Sequence, residues 1–206
     1  MPRTKSSASW LSRHLSDPFV KQAQKDGYRS RSAYKLIELN DKDKLIRAGM
    51  RIMDLGSAPG GWSQVAGKLV GERGRVLATD ILPMEELKNV DFIQGDFTDE
   101  AIVQQVLEWL RGSKFDLIIS DIAPNISGID SADQARSIYF LELALDTVRK
   151  TLKPGASFVA KMFQGSGSDQ YLKDLRAHFA KVLIRKPAAS RKESREVYLV
   201  AKGFTG

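Results

Sequence analysis

The 206-residue chain contains no cysteine. That excludes disulfides, thiolate metal sites and a cysteine nucleophile. Histidine is nearly as scarce: His14 and His178 have no partner at metal-ligand spacing, so both read as incidental and no metal is expected. No stretch approaches the roughly 20 apolar residues of a membrane helix, and the polar, basic start is unlike a signal peptide. A cytoplasmic, monomeric protein with no membrane partner is the default expectation. With 42% hydrophobic residues the chain is long enough for a full core.

Acidic charge is lacking at the two ends. Residues 1–47 carry 11 Lys and Arg against 5 Asp and Glu, and residues 173–206 carry 9 against 3, while the middle carries 12 against 17. Basic ends around an acidic centre fit a polyanion, such as nucleic acid, held at the rim and a cationic small ligand in the middle. The chain divides accordingly into a basic helical extension over 1–47, packed on the core and expected to bind RNA, and a catalytic domain over 48–206.

The informative stretch runs from Met53 to Val65. A short apolar run, Ile52 to Leu55, breaks into Gly56-Ser57-Ala58-Pro59-Gly60-Gly61 and resumes as the amphipathic Trp62-Ser63-Gln64-Val65. This reads as strand, ligand loop and helix, the first turn of a doubly wound α/β sheet, where flat ligands lie. Gly56, Gly60 and Gly61 lack the side chain that would keep a ligand off the backbone. The spacing is not Gly-x-Gly-x-x-Gly, Pro59 stiffens the turn, and Asp54 would place negative charge beside a pyrophosphate. An NAD-linked oxidoreductase is therefore disfavoured. A ligand with a sulfonium, an amino group and a ribose suits the carboxylates better, and S-adenosylmethionine is the expected cofactor. Asp80 ends the second strand, Arg75 to Asp80, where a ribose-binding acid belongs, and Asp96 follows the third, Val90 to Gln94, where it can accept from an adenine amino group beside Phe97.

Around this centre, residues 1 to 9 are expected to be disordered without a partner, and Trp10 to Asn40 is helical in pattern, with Asp17-Pro18 as cap and first-turn proline and Gly27 as a stop. Tyr28 to Leu36 interleaves basic and aromatic residues; Arg29, Arg31 and Tyr34 are candidate RNA contacts. Asp99 to Leu110 predicts a helix and Phe115 to Asp121 a central parallel strand, followed by the polar loop Ile122 to Gly128. A helix over 133–151 ends at Lys153-Pro154-Gly155, Ala156 to Phe163 is a fifth strand, Gln170 to Phe179 a helix, and Lys181 to Lys186 and Glu196 to Lys202 are the last strands. The strand and helix alternation predicts a largely parallel sheet. Lys161 is a charge in an apolar strand, costly unless paired or functional. Arg191, Lys192 and Arg195 lie in a basic loop suited to phosphates.

Taken together, Arg29 to Leu36, Asp54 to Gln64, Gln94 to Phe97, Ser120 to Asn125, Lys161 to Gly165 and Ser194 to Tyr198 closely resemble the FtsJ/RrmJ-type ribosomal RNA 2′-O-methyltransferases, in order and spacing, essentially end to end. Ser57 in the glycine loop and Ile122 after Asp121 depart slightly from the family pattern. The resemblance implies a Rossmann-like S-adenosylmethionine-dependent methyltransferase with a seven-stranded, mostly parallel sheet, helices on both faces and an antiparallel last strand. It implies methylation of the 2′-oxygen of a uridine in the A loop of 23S-type rRNA, on the assembled or late-precursor large subunit. The family's Lys-Asp-Lys-Glu tetrad falls on Lys35, Asp121, Lys161 and Glu196. The cofactor set comprises Asp54, Gly56, Pro59, Gly60, Gly61, Trp62, Asp80, Asp96, Phe97 and Asp121.

The residues' own chemistry agrees, because a ribose hydroxyl attacks a methyl only as its proton leaves. Lys161 is the expected general base, oriented by Asp121, with Lys35 positioning the hydroxyl and Glu196 fixing the lysines. Two alternatives stay open: the same reaction on tRNA, and a ribosome-assembly factor that binds RNA and whose methyl transfer is secondary.

Overall fold

The structure, a computed structural model, describes residues 17–124 and 130–206. The expected disordered start, the helical pattern from Trp10 to Ser16, His14, and Asn125 to Gly128 of the polar loop lie outside the described residues.

Two short helices open the described chain. Helix α1, Pro18–Lys25, starts as its residues dictate: the Asp17 carboxylate accepts from the Phe19 N–H, Pro18 occupies the first turn, and Gly27 follows with φ +72°. Helix α2, Ala33–Asp43, runs three residues past the expected Asn40 and ends where Lys44 turns left-handed.

From Arg51 the chain alternates strand and helix: β1 (Arg51–Leu55), α3 (Gly61–Val70), β2 (Arg75–Asp80), β3 (Val90–Gln94), α4 (Glu100–Leu110), β4 (Phe115–Ser120), α5 (Asp130–Thr151), β5 (Leu152–Phe163), α6 (Ser168–His178), β6 (Phe179–Arg185) and β7 (Glu196–Phe204). These strands form one seven-stranded sheet in the order β3-β2-β1-β4-β5-β7-β6. All neighbours are parallel except that β7 runs antiparallel to both β5 and β6. The expected largely parallel seven-stranded sheet with an antiparallel last strand is what is found.

Several expected boundaries shift: α5 includes Asp130 to Ala132 ahead of the expected 133, β6 spans Phe179–Arg185 where Lys181 to Lys186 is expected, and β7 runs on from the expected Lys202 to Phe204. Strand β5 begins at Leu152, which pairs with Phe115, and the next pair is Leu117 with Ser157; Lys153 to Ala156 are accommodated by an irregularity in one strand. Proline and glycine there mark a bulge inside a strand, whereas the sequence pattern placed them in a connection. Helix α6 begins at Ser168, two residues before the expected Gln170, because Gly167 caps it in the left-handed region and the Ser168 hydroxyl closes a local turn with Gly165.

The sheet is covered on both sides. On one face, Leu36 and Leu39 of α2 and Trp62, Val65 and Val70 of α3 pack on Ile52, Val76, Ile119 and Val200. On the other, Val106 of α4, Leu145 of α5 and Leu175 of α6 pack on Met53, Ile118 and Phe158. The parallel strands are apolar on both faces, as a doubly covered sheet requires. The order reverses between β1 and β4, so the crevice at their C-terminal ends is the place a ligand takes in such a sheet.

A charged cluster ties α2 to the far sheet edge. Arg185 donates two hydrogen bonds of 2.9 Å to the Asp43 carboxylate, and Lys202 donates to the Asp43 carbonyl at 2.6 Å. The bidentate bond from Arg185, then the nearby cations, hold the Asp43 carboxyl below the usual carboxylate range despite burial. Asp43→Ala leaves Arg185 without that partner and is expected to lower unfolding free energy by about 2 to 3 kcal/mol, read from urea denaturation midpoints.

Candidate active site

At the C-terminal ends of β1, β2 and β4 lies a cavity of about 380 Å³ whose lining includes Gly56, Asp80, Asp96, Phe97 and Asp121. Its size suits a nucleoside-sized ligand. Asp80, at the end of β2, accepts from the backbone N–H groups of Ala58 and Leu82, both at 2.8 Å, so it shapes the glycine loop as well as the cavity wall. Asp96 accepts from the N–H and hydroxyl of Thr98. Gly56, with φ +67°, is pressed against Ile122: a Cβ there would lie 2.0 Å from Cγ1 of that side chain. Only glycine lets the β1 and β4 loops meet at that point.

The other glycines serve a different contact. A Cβ on Gly61 would fall 2.1 Å from the Ser30 hydroxyl, and one on Gly60 would meet Met84 at 2.8 Å and the Arg29 guanidinium at 3.0 Å. They admit the 28–32 segment to the back of the loop. Trp62 is only 2% exposed and donates from its indole to the Ser32 carbonyl at 2.9 Å. Pro59, joined to Ala58 by a cis bond, is exposed, and its carbonyl accepts from Arg29. Of the expected cofactor set, Gly56, Asp80, Asp96, Phe97 and Asp121 line the cavity directly, while Gly60, Gly61 and Trp62 hold the loop from behind.

Asp54 is also behind the loop, 1% exposed, and takes a 2.6 Å hydrogen bond from Ser63 of α3. Burial pushes its carboxyl up to about 7, the Ser63 bond opposes that, and the nearby Asp121 and Asp80 add to the rise.

Beside the cavity the four tetrad residues come together as two ion pairs. Lys161 Nζ lies 3.0 Å from Asp121 Oδ1 and donates to the Asp121 carbonyl at 2.5 Å. Lys35 Nζ, from α2, lies 2.7 Å from Glu196 Oε1 at the start of β7. Both lysines are buried, at 8% and 9% exposure, where an unpaired ammonium would be costly. Tyr198 joins the pairs: its hydroxyl donates to Asp121 Oδ1 at 2.6 Å, and its ring centroid is 5.4 Å from Lys35 Nζ. Burial alone would raise the Asp121 carboxyl; Lys161, Lys35 and the Tyr198 hydroxyl outweigh it and hold Asp121 below the usual range. Burial, and then the charge of Asp121, push the Tyr198 hydroxyl far up, so it stays a donor. The sequence reading gave Tyr198 no role. The signal was its position two residues after Glu196 on a strand, which places both side chains on one face.

The expected RNA contacts divide. The Arg29 guanidinium donates to the carbonyls of Pro59, Glu85 and Glu86, at 2.8 to 3.3 Å, tying the glycine loop to the β2–β3 loop. Arg31 is held by Asp17 and the Ala189 carbonyl, and the Tyr34 hydroxyl donates to Asp26 at 2.6 Å. These three already have internal partners. Lys192 and Arg195 are exposed, and Arg191 is partly so, 3.9 Å from Asp17.

Among the described residues no group of three or more His, Cys, Asp or Glu side chains could hold a metal ion, and no helix is long and apolar enough to cross a membrane.

Comparison with known proteins gives this geometry a setting. The family model for FtsJ-like methyltransferases matches residues 28–204. A ribosomal RNA large subunit methyltransferase E from Stutzerimonas stutzeri is 70% identical over 206 residues, covering 100% of both chains. A protein of the same name from Marinobacter nauticus is 61% identical over 204 residues, covering 99% of each. Among solved structures, a Plasmodium falciparum chain described as a ribosomal RNA methyltransferase superposes with a TM-score of 0.79 at 31% identity, covering 87% of this chain and 100% of that one.

Asp54 yields a prediction independent of activity. Because its folded pKa of about 7 exceeds the unfolded value of 3.8, its protonated form favours the folded state, and that contribution is lost as pH rises from about 4 through 7. Asp54→Asn, which keeps a partner for Ser63, is expected to remove a decline on the order of 4 kcal/mol across that window. Urea unfolding of both proteins at pH 4, 5, 6, 7 and 8 measures it; parallel pH profiles would refute it.

Proposed function

The chain belongs to the FtsJ-like methyltransferase family, and from that membership we propose that it transfers a methyl group from S-adenosylmethionine to the ribose 2′-oxygen of a uridine in the A loop of large-subunit rRNA, on the assembled or late-precursor subunit. The observation that carries the reading is the buried Lys161–Asp121 pair at the rim of an acid-lined cavity, with a second buried lysine, Lys35, opposite. The names of relatives 70% and 61% identical over essentially the whole chain support the large subunit as the place of action. We place the protein in the cytoplasm as a monomer.

The cavity fits the donor in the chemistry of its walls. Asp80 suits the ribose hydroxyls, Asp96 the adenine amino group and Phe97 the base, while Asp121 faces the end nearest Lys161. Bound there, the donor supplies an electrophilic methyl on a sulfonium. Everything else falls to the protein's own groups. Lys161 takes the proton of the acceptor hydroxyl as an amine, and the Asp121 carboxylate and carbonyl fix its direction. When Lys161 is an amine, Lys35 and the Tyr198 hydroxyl remain to favour the Asp121 carboxylate, so it holds its place without competing for that proton. Lys35, pinned by Glu196 and the Tyr198 ring, orients the hydroxyl. Lys192 and Arg191 offer phosphate contacts beside the site.

Loss of a general base typically costs about 10² to 10⁴-fold. Lys161→Ala is therefore expected to abolish measurable transfer of labelled methyl to large subunits from cells lacking this activity, with S-adenosylmethionine affinity within a few-fold of the unaltered protein. Naked rRNA and tRNA run in parallel test the acceptor, and mapping the labelled nucleotide tests the position. Full turnover by the variant would sink the base assignment, and label on tRNA alone would sink the acceptor.

A further inference from the structure

We propose that a second cleft, lined by Phe163, Asp130 and Arg195, seats the base of the nucleotide being methylated and selects a keto base with a protonated ring nitrogen, uracil or guanine, over cytosine. This rests on the ribose-methylation reading and adds the specificity device that reading lacks.

The cleft, about 270 Å³, is separate from the donor cavity, yet Pro124 lines both. Position follows from strand register. Phe163 pairs with Glu196 and Lys161 with Tyr198 across β5 and β7, so these four side chains project from one face of the sheet. Lys161 Nζ lies 5.9 Å from the Phe163 ring centroid. A ribose carries its 2′-oxygen and its base on adjacent carbons. A hydroxyl brought to Lys161 therefore places its base within stacking reach of Phe163, the usual way a splayed-out RNA base is held. Gln134 fixes the floor of the cleft by donating to the carbonyls of Phe163 and Ser166 at 3.0 and 3.1 Å.

Arg195 and Asp130 supply the reading edge. Arg195 Nη2 lies 3.6 Å from Asp130 Oδ1, and both side chains are open, at 56% and 89% exposure. One offers N–H groups and the other only acceptors. Uracil presents a carbonyl next to a ring N–H, and guanine does the same; the carbonyl accepts from Arg195 and the N–H donates to Asp130. Cytosine presents an amino group and a bare ring nitrogen, setting donor against guanidinium and lone pair against carboxylate.

Single-turnover methyl transfer to large subunits carrying U, G or C at the acceptor position tests this with the full-length protein, Asp130→Asn and Arg195→Gln. The unaltered protein is expected to favour U or G over C. Asp130→Asn, which gains a donor suited to cytosine, is expected to reduce the keto preference at least about tenfold, while donor affinity is unchanged. The U and G arms show which keto base fits better. An unaltered protein that discriminates, with variants whose ratio does not move, overturns the cleft assignment alone. Failure of the unaltered protein to methylate any subunit overturns the ribose reading and this inference together.

Discussion

A carboxylate forced to stay ionised in a largely buried position organises this molecule. Asp121 sits at the end of the central strand, where burial favours its neutral form, and Lys161, Lys35 and Tyr198 converge from three other elements to reverse that preference. Each partner brings its own demand. Lys35 needs Glu196, which fixes the start of β7, and Tyr198 needs the core against Trp62, 5.7 Å away between ring centroids. Removing one partner throws more of the load onto the others, so the contributions of these groups are coupled and do not add.

The same economy links the two ends of the chain to the site. The segment before α2 lies against the glycine loop through Gly60 and Gly61, and Arg29 binds three carbonyls on two loops beside the cavity. Asp17, Arg31 and the Ala189 carbonyl connect α1 to the loop ahead of β7. The basic extension is thus part of the frame around the site, and its charge is partly spent on internal partners.

Much of this was legible in the sequence. The period of the apolar runs identifies the alternating strands and helices, and Asp80, which ends the second strand, and Asp96, which follows the third, mark one end of the sheet. The tetrad was found through resemblance, because spacing by itself does not show that Lys35 and Glu196, 161 positions apart in the chain, meet across a strand end. What escaped were contacts whose direction the residue type leaves open. An arginine among aromatics suggests phosphate, yet Arg29 finds backbone carbonyls; paired glycines suggest a ligand, yet Gly60 and Gly61 admit another segment of the chain. Tyr198 carried no expected role, and it is core at 0% exposure with one polar atom turned to Asp121.

The reversed direction of β7 has a geometric result. In a wholly parallel sheet the loops that follow strands gather at the ligand end, and the loops that precede them gather at the other. Because β7 runs the opposite way between β5 and β6, its leading loop, which carries Arg191, Lys192 and Arg195, is brought to the ligand end, and its trailing end at Phe204 is carried to the opposite side. The inverted strand therefore works as a polarity filter on the chain. It delivers a cationic hairpin to the ligand end of the sheet, while the strand's own trailing end at Phe204 lies at the opposite end.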